Sequence, residues 1–143
     1  MFVSKWEVTA ISQYAWTNPS SNFSEMTDSE LVNVGFLVDQ FNRDQVSPAW
    51  RMVGGIDCYV MDVEVVFKKT GHSVVRLIEL NTFGAEFSSG SALFHWLRDD
   101  LILQGRTQGA EDKEDFISSS PTPFLRKVYF RVLCNESSKL LRI

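Results

Sequence analysis

The strongest constraint on the fold is a pair of apolar runs joined by a short polar segment. Residues 57–67 and 74–81 are rich in β-branched and aromatic side chains, and the intervening residues are Lys68-Lys69-Thr70-Gly71-His72-Ser73. Two such runs around a glycine-containing turn predict an antiparallel β-hairpin. Both runs are apolar on both faces, which predicts a sheet that is covered on each side.

The predicted hairpin brings two acidic residues together. Asp62 lies eight residues before Thr70 and Glu79 lies eight residues after Gly71, so a symmetric turn places the two acids opposite each other. Directly opposed side chains share one face of a sheet, with Cβ atoms about 5 Å apart. Asn81, two residues further along, projects from that same face. Glu64 also shares it, diagonal to Glu79.

Two carboxylates this close on a largely apolar sheet repel each other. A shared proton, a basic partner or a bound cation would each relieve that repulsion. Magnesium prefers carboxylate and amide oxygens and keeps phosphate oxygens among its other ligands, so Asp62, Glu79 and Asn81 form a candidate metal–phosphate site. The alternative is a pair of acids on an exposed strand face with no ligand. A register slip of one residue would also turn Asp62 to the other face.

Elsewhere the sequence predicts helices. Thr27-Asp28-Ser29-Glu30 forms a capping box, and the apolar stripe of the helix that follows is Leu31, Val34, Val38 and Phe41. We expect residues 42–48 to end this helix. A second helix is predicted over residues 91–103. Ser88, Ser89 and Ser91 near its start are expected to be ordinary capping residues, with phosphate contacts as the alternative.

The remaining segments predict strands and loops. Residues 8–16 and 127–133 are apolar and β-branched and are expected to form strands. Residues 17–22 form a predicted turn, and the polar residues 104–123 a mobile loop. Together these elements predict an α+β fold with an antiparallel sheet and packed helices.

Composition narrows the functional class. A formal net charge of −4 and the lack of a long basic run argue against a general nucleic-acid binder. No apolar stretch approaches the roughly 20 residues of a membrane span. Cys58 and Cys134 are too few for a disulfide scaffold and fit the cytoplasm. His72 and His95 show no zinc-ligand spacing, and His95 is expected to form an exposed helical pair with Asp99.

The hairpin and its flanks resemble the C-terminal part of the ATP-grasp superfamily, and more closely the cell division cycle protein 123 family. The common order is a strand bearing an acid, a turn, and a strand ending in Glu-x-Asn. The similar segments are Ala10-Ile11-Ser12-Gln13-Tyr14, Tyr59-Val60-Met61-Asp62-Val63, Leu77-Ile78-Glu79-Leu80-Asn81-Thr82-Phe83-Gly84, Leu93-Phe94-His95-Trp96 and Phe130-Arg131-Val132. Thr82 departs from the pattern, because the family usually has proline there.

The resemblance implies that Asp62, Glu79 and Asn81 bind the Mg²⁺ ions that bridge the ATP phosphates. It also places Ile78 near the adenine. The implied activity is that of an ATP-dependent carboxylate–amine ligase, which proceeds through an acylphosphate.

The resemblance further implies that the site is only part of a nucleotide-binding unit. No residues match the phosphate-binding lysines of the N-terminal lobe, so residues 1–143 are expected to form a single partial domain, completed by a missing lobe or a protein partner. Its core is residues 8–103, followed by the loop 104–123 and a final strand and tail, 124–143. The alternatives are a non-catalytic binding or assembly-factor module, since that family assembles eukaryotic translation initiation factor 2, and a remnant that binds no nucleotide.

Overall fold

A six-stranded mixed sheet with short helices packed on it forms the described part of the chain. A computed structural model describes residues 1–13, 22–68, 73–84, 86, 93–106, 128–134 and 137–142. The strands are β1 (Phe2–Ser4), β2 (Glu7–Ser12), β3 (Tyr59–Phe67), β4 (Ser73–Thr82), β5 (Tyr129–Cys134) and β6 (Ser137–Arg142). The helical elements are a 3-10 turn (Asn22–Glu25), α1 (Asp28–Phe41), a π-helical turn (Asn42–Val46), α2 (Ser47–Met52) and α3 (Asp100–Leu103).

The strand order is β4-β3-β1-β2-β5-β6. The predicted α+β class is confirmed, but the prediction of an antiparallel sheet is wrong, because β2 and β5 run in the same direction with Ala10 opposite Tyr129. The other neighbouring strands pair antiparallel. A short apolar strand has the same side-chain alternation in either direction, so its sequence does not specify the direction of its neighbour.

The first helix begins where the capping box predicts. The Glu30 amide donates to Thr27 Oγ1 at 3.3 Å, and the Thr27 amide donates to the Glu30 carboxylate at 2.8 Å. Its buried positions include Leu31, Val34 and Val38. The helix ends at Phe41 with Asn42 as its C-cap, as predicted, but the π-helical turn and α2 that follow it were not predicted. Pro48 lies in the first turn of α2 and has no N–H to donate, and the π-helical turn lies directly before it, where the regular α-helical hydrogen-bond pattern changes.

The sheet has an apolar layer on each face. On one face, α1 and the π-helical turn contribute to a core with strand residues; this core includes Leu31, Val38, Val46, Tyr59, Met61, Val75 and Phe130. On the other face, Phe2 meets the rings of Phe83 and Trp96 at centroid distances of 6.4 and 5.4 Å. Phe94 and Leu103 complete this second layer. Strand β1 contributes to both cores, Val3 to the first and Phe2 to the second, and both side chains are completely buried.

The second predicted helix is mostly wrong. Of residues 93–103, only Asp100–Leu103 is helical, and the chain before it forms turns. Leu97, in the middle of the predicted helix, is 83% exposed. The turns let Phe94 and Trp96 pack on Phe2 and place the Asp99 carboxylate inside the protein, which a continuous helix would not do.

The predicted strands are partly confirmed. Residues 8–12 of the predicted strand 8–16 belong to β2, and the predicted strand 127–133 corresponds to β5. The short strand β1 and the last strand β6 were not predicted. Several predicted features lie outside the described residues: most of the turns at 17–22 and 68–73, His72, Ser88, Ser89, Ser91, and most of the loop 104–123.

Candidate functional site

The β3–β4 hairpin pairs as predicted at its acidic end. Asp62 lies directly opposite Glu79, and Asn81 lies opposite Val60. Opposed residues of an antiparallel pair share a face, so the side chains of Asp62 and Glu79 project from the same side of the sheet.

A β-bulge adjusts the register between this end and the turn. Val63 pairs with Leu77, which leaves Ile78 without a partner on β3. Nearer the turn, Phe67 pairs with Ser73, one residue out of the symmetric register. The extra residue in β4 compensates for that difference, and the two acids still meet.

Burial and the nearby Glu79 carboxylate both favour the protonated form of Asp62. Burial raises the pKa of the Asp62 carboxyl above its usual value. The positive charge of the Met1 amino group lowers this pKa, while a hydrogen bond with Glu79 and the repulsion from that carboxylate raise it again. The net shift is upward, so Asp62 holds its proton more tightly than a solvated aspartic acid does.

The Met1 amino group is the basic group that acts on this pair. It is buried and donates a hydrogen bond to the Met61 carbonyl oxygen at 2.9 Å. Burial lowers the pKa of this amino group to about 6, against the opposing attraction of Asp62. A basic neighbour, the Met1 amino group, therefore occurs in the structure, while the shared proton and the bound cation stay predictions.

Asn81 joins the acid pair through Glu79. Its Nδ2 donates to Glu79 Oε1 at 3.1 Å. Within the described part of the chain, no group donates a hydrogen bond to the Asn81 Oδ1 atom. The amide therefore places its carbonyl oxygen near the carboxylates as a further candidate ligand.

The third acid of this face, Glu64, is in a different situation. It pairs with Arg76 across the hairpin, and its carboxylate lies 3.6 Å from the guanidinium of that residue. Both side chains are largely exposed. Glu64 thus has a side-chain cation as its partner, whereas the basic neighbour of Asp62 is the Met1 amino group.

The β4 edge of the sheet is not covered by the described residues. Leu77 is 43% exposed and Ile78 is 66% exposed. The prediction of a sheet covered on each side is therefore wrong for this part of β4, where the bulge turns Ile78 outward. An exposed apolar side chain beside Glu79 fits the expected place near an adenine, and that role stays a prediction.

The donor set has the chemistry of a hard-cation site. Among the described residues, no group of three or more histidine, cysteine, aspartate or glutamate side chains could hold a metal ion. The candidate set instead combines two carboxylates with one amide. Such a set provides oxygen ligands suited to magnesium and leaves coordination positions for water or phosphate oxygens.

The sequence did not reveal one buried ion pair, between Arg131 and Asp99. Arg131 donates to the two Asp99 carboxylate oxygens at 2.9 and 3.3 Å and to the Leu93 carbonyl oxygen at 2.6 Å. Its guanidinium lies 4.3 Å from the centre of the Phe94 ring. This pair fixes the turns at residues 93–99 against β5. The available signal was an arginine inside an apolar strand.

The predicted exposed pair of His95 and Asp99 is wrong. Asp99 is buried, and its carboxylate accepts a hydrogen bond from the His95 amide at 2.8 Å, not from the imidazole. Burial alone would raise the pKa of Asp99, but the hydrogen bonds from Arg131 and from the His95 amide outweigh it, and the pKa lies below its usual value.

Comparisons with known proteins give no match. No protein-family model, no curated protein and no solved structure is similar to this chain at a significant level. Among the described residues, no helix is both long and apolar enough to cross a membrane.

Proposed function

We propose that the chain binds ATP with Mg²⁺ through the corner formed by Asp62, Glu79 and Asn81. The observation that carries this proposal is the cross-strand pairing of Asp62 with Glu79, with an upward-shifted pKa at Asp62. Two opposed carboxyl groups, one of them with a raised pKa, form a site where a divalent cation can take the place of a proton.

The position of the pair supports a ligand that arrives from solvent. Glu79 is exposed and Asp62 is half-buried, so the carboxylates can be reached from the open face of the hairpin. The amide of Asn81 adds an uncharged oxygen, which limits the negative charge of the site to that of two carboxylates. A nucleotide phosphate could then approach a bound cation against less repulsion than in a site of three acids.

The proposal concerns binding. Ligase activity would also need the phosphate-binding lysines expected from an N-terminal lobe or a protein partner, and it stays a prediction. The described residues of this chain would hold the cation end of the nucleotide and orient it; the bound cation would neutralise phosphate charge.

Isothermal titration calorimetry can test the proposal directly. We expect heat from Mg²⁺ with ATP in the wild-type chain, and binding at least about tenfold weaker in Asp62→Asn and in Glu79→Gln. This factor corresponds to the loss of one charge-assisted contact of about 1.5–3 kcal/mol. Titrations with Mg²⁺ alone and with ATP in EDTA separate the cation contribution from the nucleotide contribution.

Glu64→Gln is the matched control, because Glu64 lies on the same strand and is also acidic but is paired with Arg76. We expect it to bind Mg²⁺ and ATP as the wild type does. The proposal is wrong if the wild type shows no binding heat, or if Glu64→Gln weakens binding as much as Asp62→Asn. Circular dichroism of each variant establishes that the fold is retained.

The exposed Leu77 and Ile78 favour a second candidate function, a non-catalytic protein-binding module. An apolar pair on an edge strand is a common feature of surfaces that associate with another chain. Ile78→Ser distinguishes the two candidates. A loss of ATP affinity with unchanged Mg²⁺ binding supports contact between Ile78 and the adenine. Unchanged binding of ATP and of Mg²⁺ favours the protein-binding role of Ile78.

A further inference from the structure

A cleft of about 200 Å³ lies between the β1–β2 turn and the helical segment that follows α1. The side chains that matter for its chemistry are Lys5, Trp6, Asn42, Arg43, Ser47 and Arg51. The cleft shares no residue with the proposed nucleotide site.

The cleft is locally positive in a chain of formal net charge −4. Its lining has three cations against two acids, Glu7 and Asp39. Arg43 is already neutralised by Asp39 at 3.3 Å. Within the described residues, Lys5 and Arg51 form no ion pair. The lining therefore keeps a net charge of +1 once Glu7 is counted, and Lys5 and Arg51 are the cations that can face an anion from solution.

Lys5 and Trp6 form the two-residue turn of the β1–β2 hairpin, between the paired residues Ser4 and Glu7. Their φ angles are +53° and +69°, the two positive values that a tight hairpin turn of this length requires. The turn places both residues in the lining of the cleft.

Buried polar groups hold the turn in place. The Trp6 amide donates to the Asp57 carbonyl oxygen at 2.9 Å, and Asn42 Nδ2 donates to the Trp6 carbonyl oxygen at 3.3 Å. Asn42 is itself fixed by the Tyr59 hydroxyl, which donates to its Oδ1 at 2.6 Å. The floor of the cleft is thus rigid before any ligand binds.

Arg51 is also positioned in advance. Its guanidinium lies 4.4 Å from the centre of the Trp6 ring. Stacking of this kind occupies the face of the guanidinium and leaves its N–H edge able to donate hydrogen bonds. An oxyanion is the ligand that suits such an edge beside a lysine ammonium.

We propose that this cleft binds a small oxyanion, a phosphate or carboxylate group, between Lys5 and Arg51. The volume decides the size of the ligand. Sites for drug-sized molecules and cofactors enclose about 300–1,000 Å³, so this cleft accommodates a head group and not a whole nucleotide. The remainder of a larger ligand would lie outside, over the exposed part of α2.

An NMR titration tests the proposal with inorganic phosphate as the probe. The signals to follow are the Trp6 indole N–H and the Arg51 Nε–H, at an ionic strength held constant with sodium chloride. We expect saturable shifts of both signals. We also expect binding about tenfold weaker, or weaker still, in Lys5→Gln and in Arg51→Gln, since each removes one charge-assisted contact.

Arg98→Gln is the control, because Arg98 is 73% exposed and lies outside the cleft. It should bind phosphate as the wild type does. Arg51→Lys keeps the charge and should retain most of the affinity, which separates loss of the cation from disturbance of the turn. A titration with acetate shows whether carboxylates also bind. If only phosphate binds, the site is specific for phosphate groups; if phosphate and acetate both bind, it accepts oxyanions in general.

The proposal is overturned if neither anion gives saturable shifts, or if sodium chloride alone reproduces them. It is also overturned if Lys5→Gln and Arg51→Gln, with spectra that show an intact fold, bind phosphate as tightly as Arg98→Gln.

Discussion

Replacing Arg131 should destabilise the protein more than any other single loss of charge among the described residues. In Arg131→Met, Asp99 loses two charge-assisted hydrogen bonds and the Leu93 carbonyl oxygen loses one. The side chains of Arg131 and Asp99 are only 12% and 8% exposed. Removing one partner of a buried ion pair costs about 3–5 kcal/mol, because the other charge stays buried.

The structure places the expected cost at the lower end of that range. Asp99 keeps the hydrogen bond from the His95 amide at 2.8 Å and the neighbouring Arg98 guanidinium at 3.7 Å. We therefore expect a loss of about 3 kcal/mol in the free energy of unfolding. With a slope of about 1.5 kcal/mol per molar urea, the midpoint of urea unfolding would fall by about 2 M.

Urea unfolding followed by circular dichroism measures this effect, and Arg98→Met is its control. Arg98 approaches the same carboxylate but is 73% exposed, so its loss should cost less than about 1 kcal/mol. The reasoning is refuted if Arg131→Met lowers the midpoint no more than Arg98→Met does.

The effect of Arg131→Met should also depend on pH in a defined direction. The pKa of Asp99 is depressed in the folded protein. Its stabilising contribution is therefore fully present above the unfolded pKa of about 3.9 and is lost as the pH falls through the lower folded pKa. The difference between wild type and Arg131→Met should be largest near neutral pH and should shrink in strong acid.

Two further predictions concern other buried polar groups. Because the pKa of Asp62 is raised in the folded protein, its contribution to stability falls as the pH rises from about 3.9 through the folded pKa. We therefore expect Asp62→Asn to add about 0.2–1 kcal/mol to the free energy of unfolding at pH 8 in EDTA and nothing at pH 3. A destabilised variant at pH 8 would contradict this. Tyr59→Phe leaves the buried Asn42 Oδ1 without its donor and should cost about 1–3 kcal/mol in urea unfolding. The control is Tyr129→Phe, because the Tyr129 hydroxyl bonds to none of the described residues; it should cost less than about 0.5 kcal/mol. Equal losses would exclude the proposed role of the Tyr59 hydroxyl.

The acidic end of the hairpin could be predicted from sequence because local rules determine it. Alternation along the two strands and a short turn suffice to bring Asp62 opposite Glu79. The bulge at Ile78 could not be predicted, because a single extra residue leaves the apolar pattern almost unchanged. The predicted pair was therefore correct although the predicted register near the turn was wrong.

The Arg131–Asp99 pair could not be predicted because its partners lie far apart in the sequence. Residues 91–103 have the spacing of an amphipathic helix, but the packing of Phe94 and Trp96 on Phe2 and the pull of Arg131 on Asp99 outweigh that local preference. The direction of β5 could not be predicted either, because no local pattern indicates which strand it pairs with.

The parallel pairing of β2 with β5 has a consequence for the order in which the protein folds. The β3–β4 hairpin and α1 form from neighbouring residues, whereas the contact of Ala10 with Tyr129 closes a loop that spans most of the chain. Closing such a loop costs conformational entropy before the contacts that stabilise it have formed. Folds rich in contacts between residues far apart in sequence therefore form slowly. Until β5 pairs with it, this edge of β2 presents unpaired backbone groups, and such edges favour association with other chains.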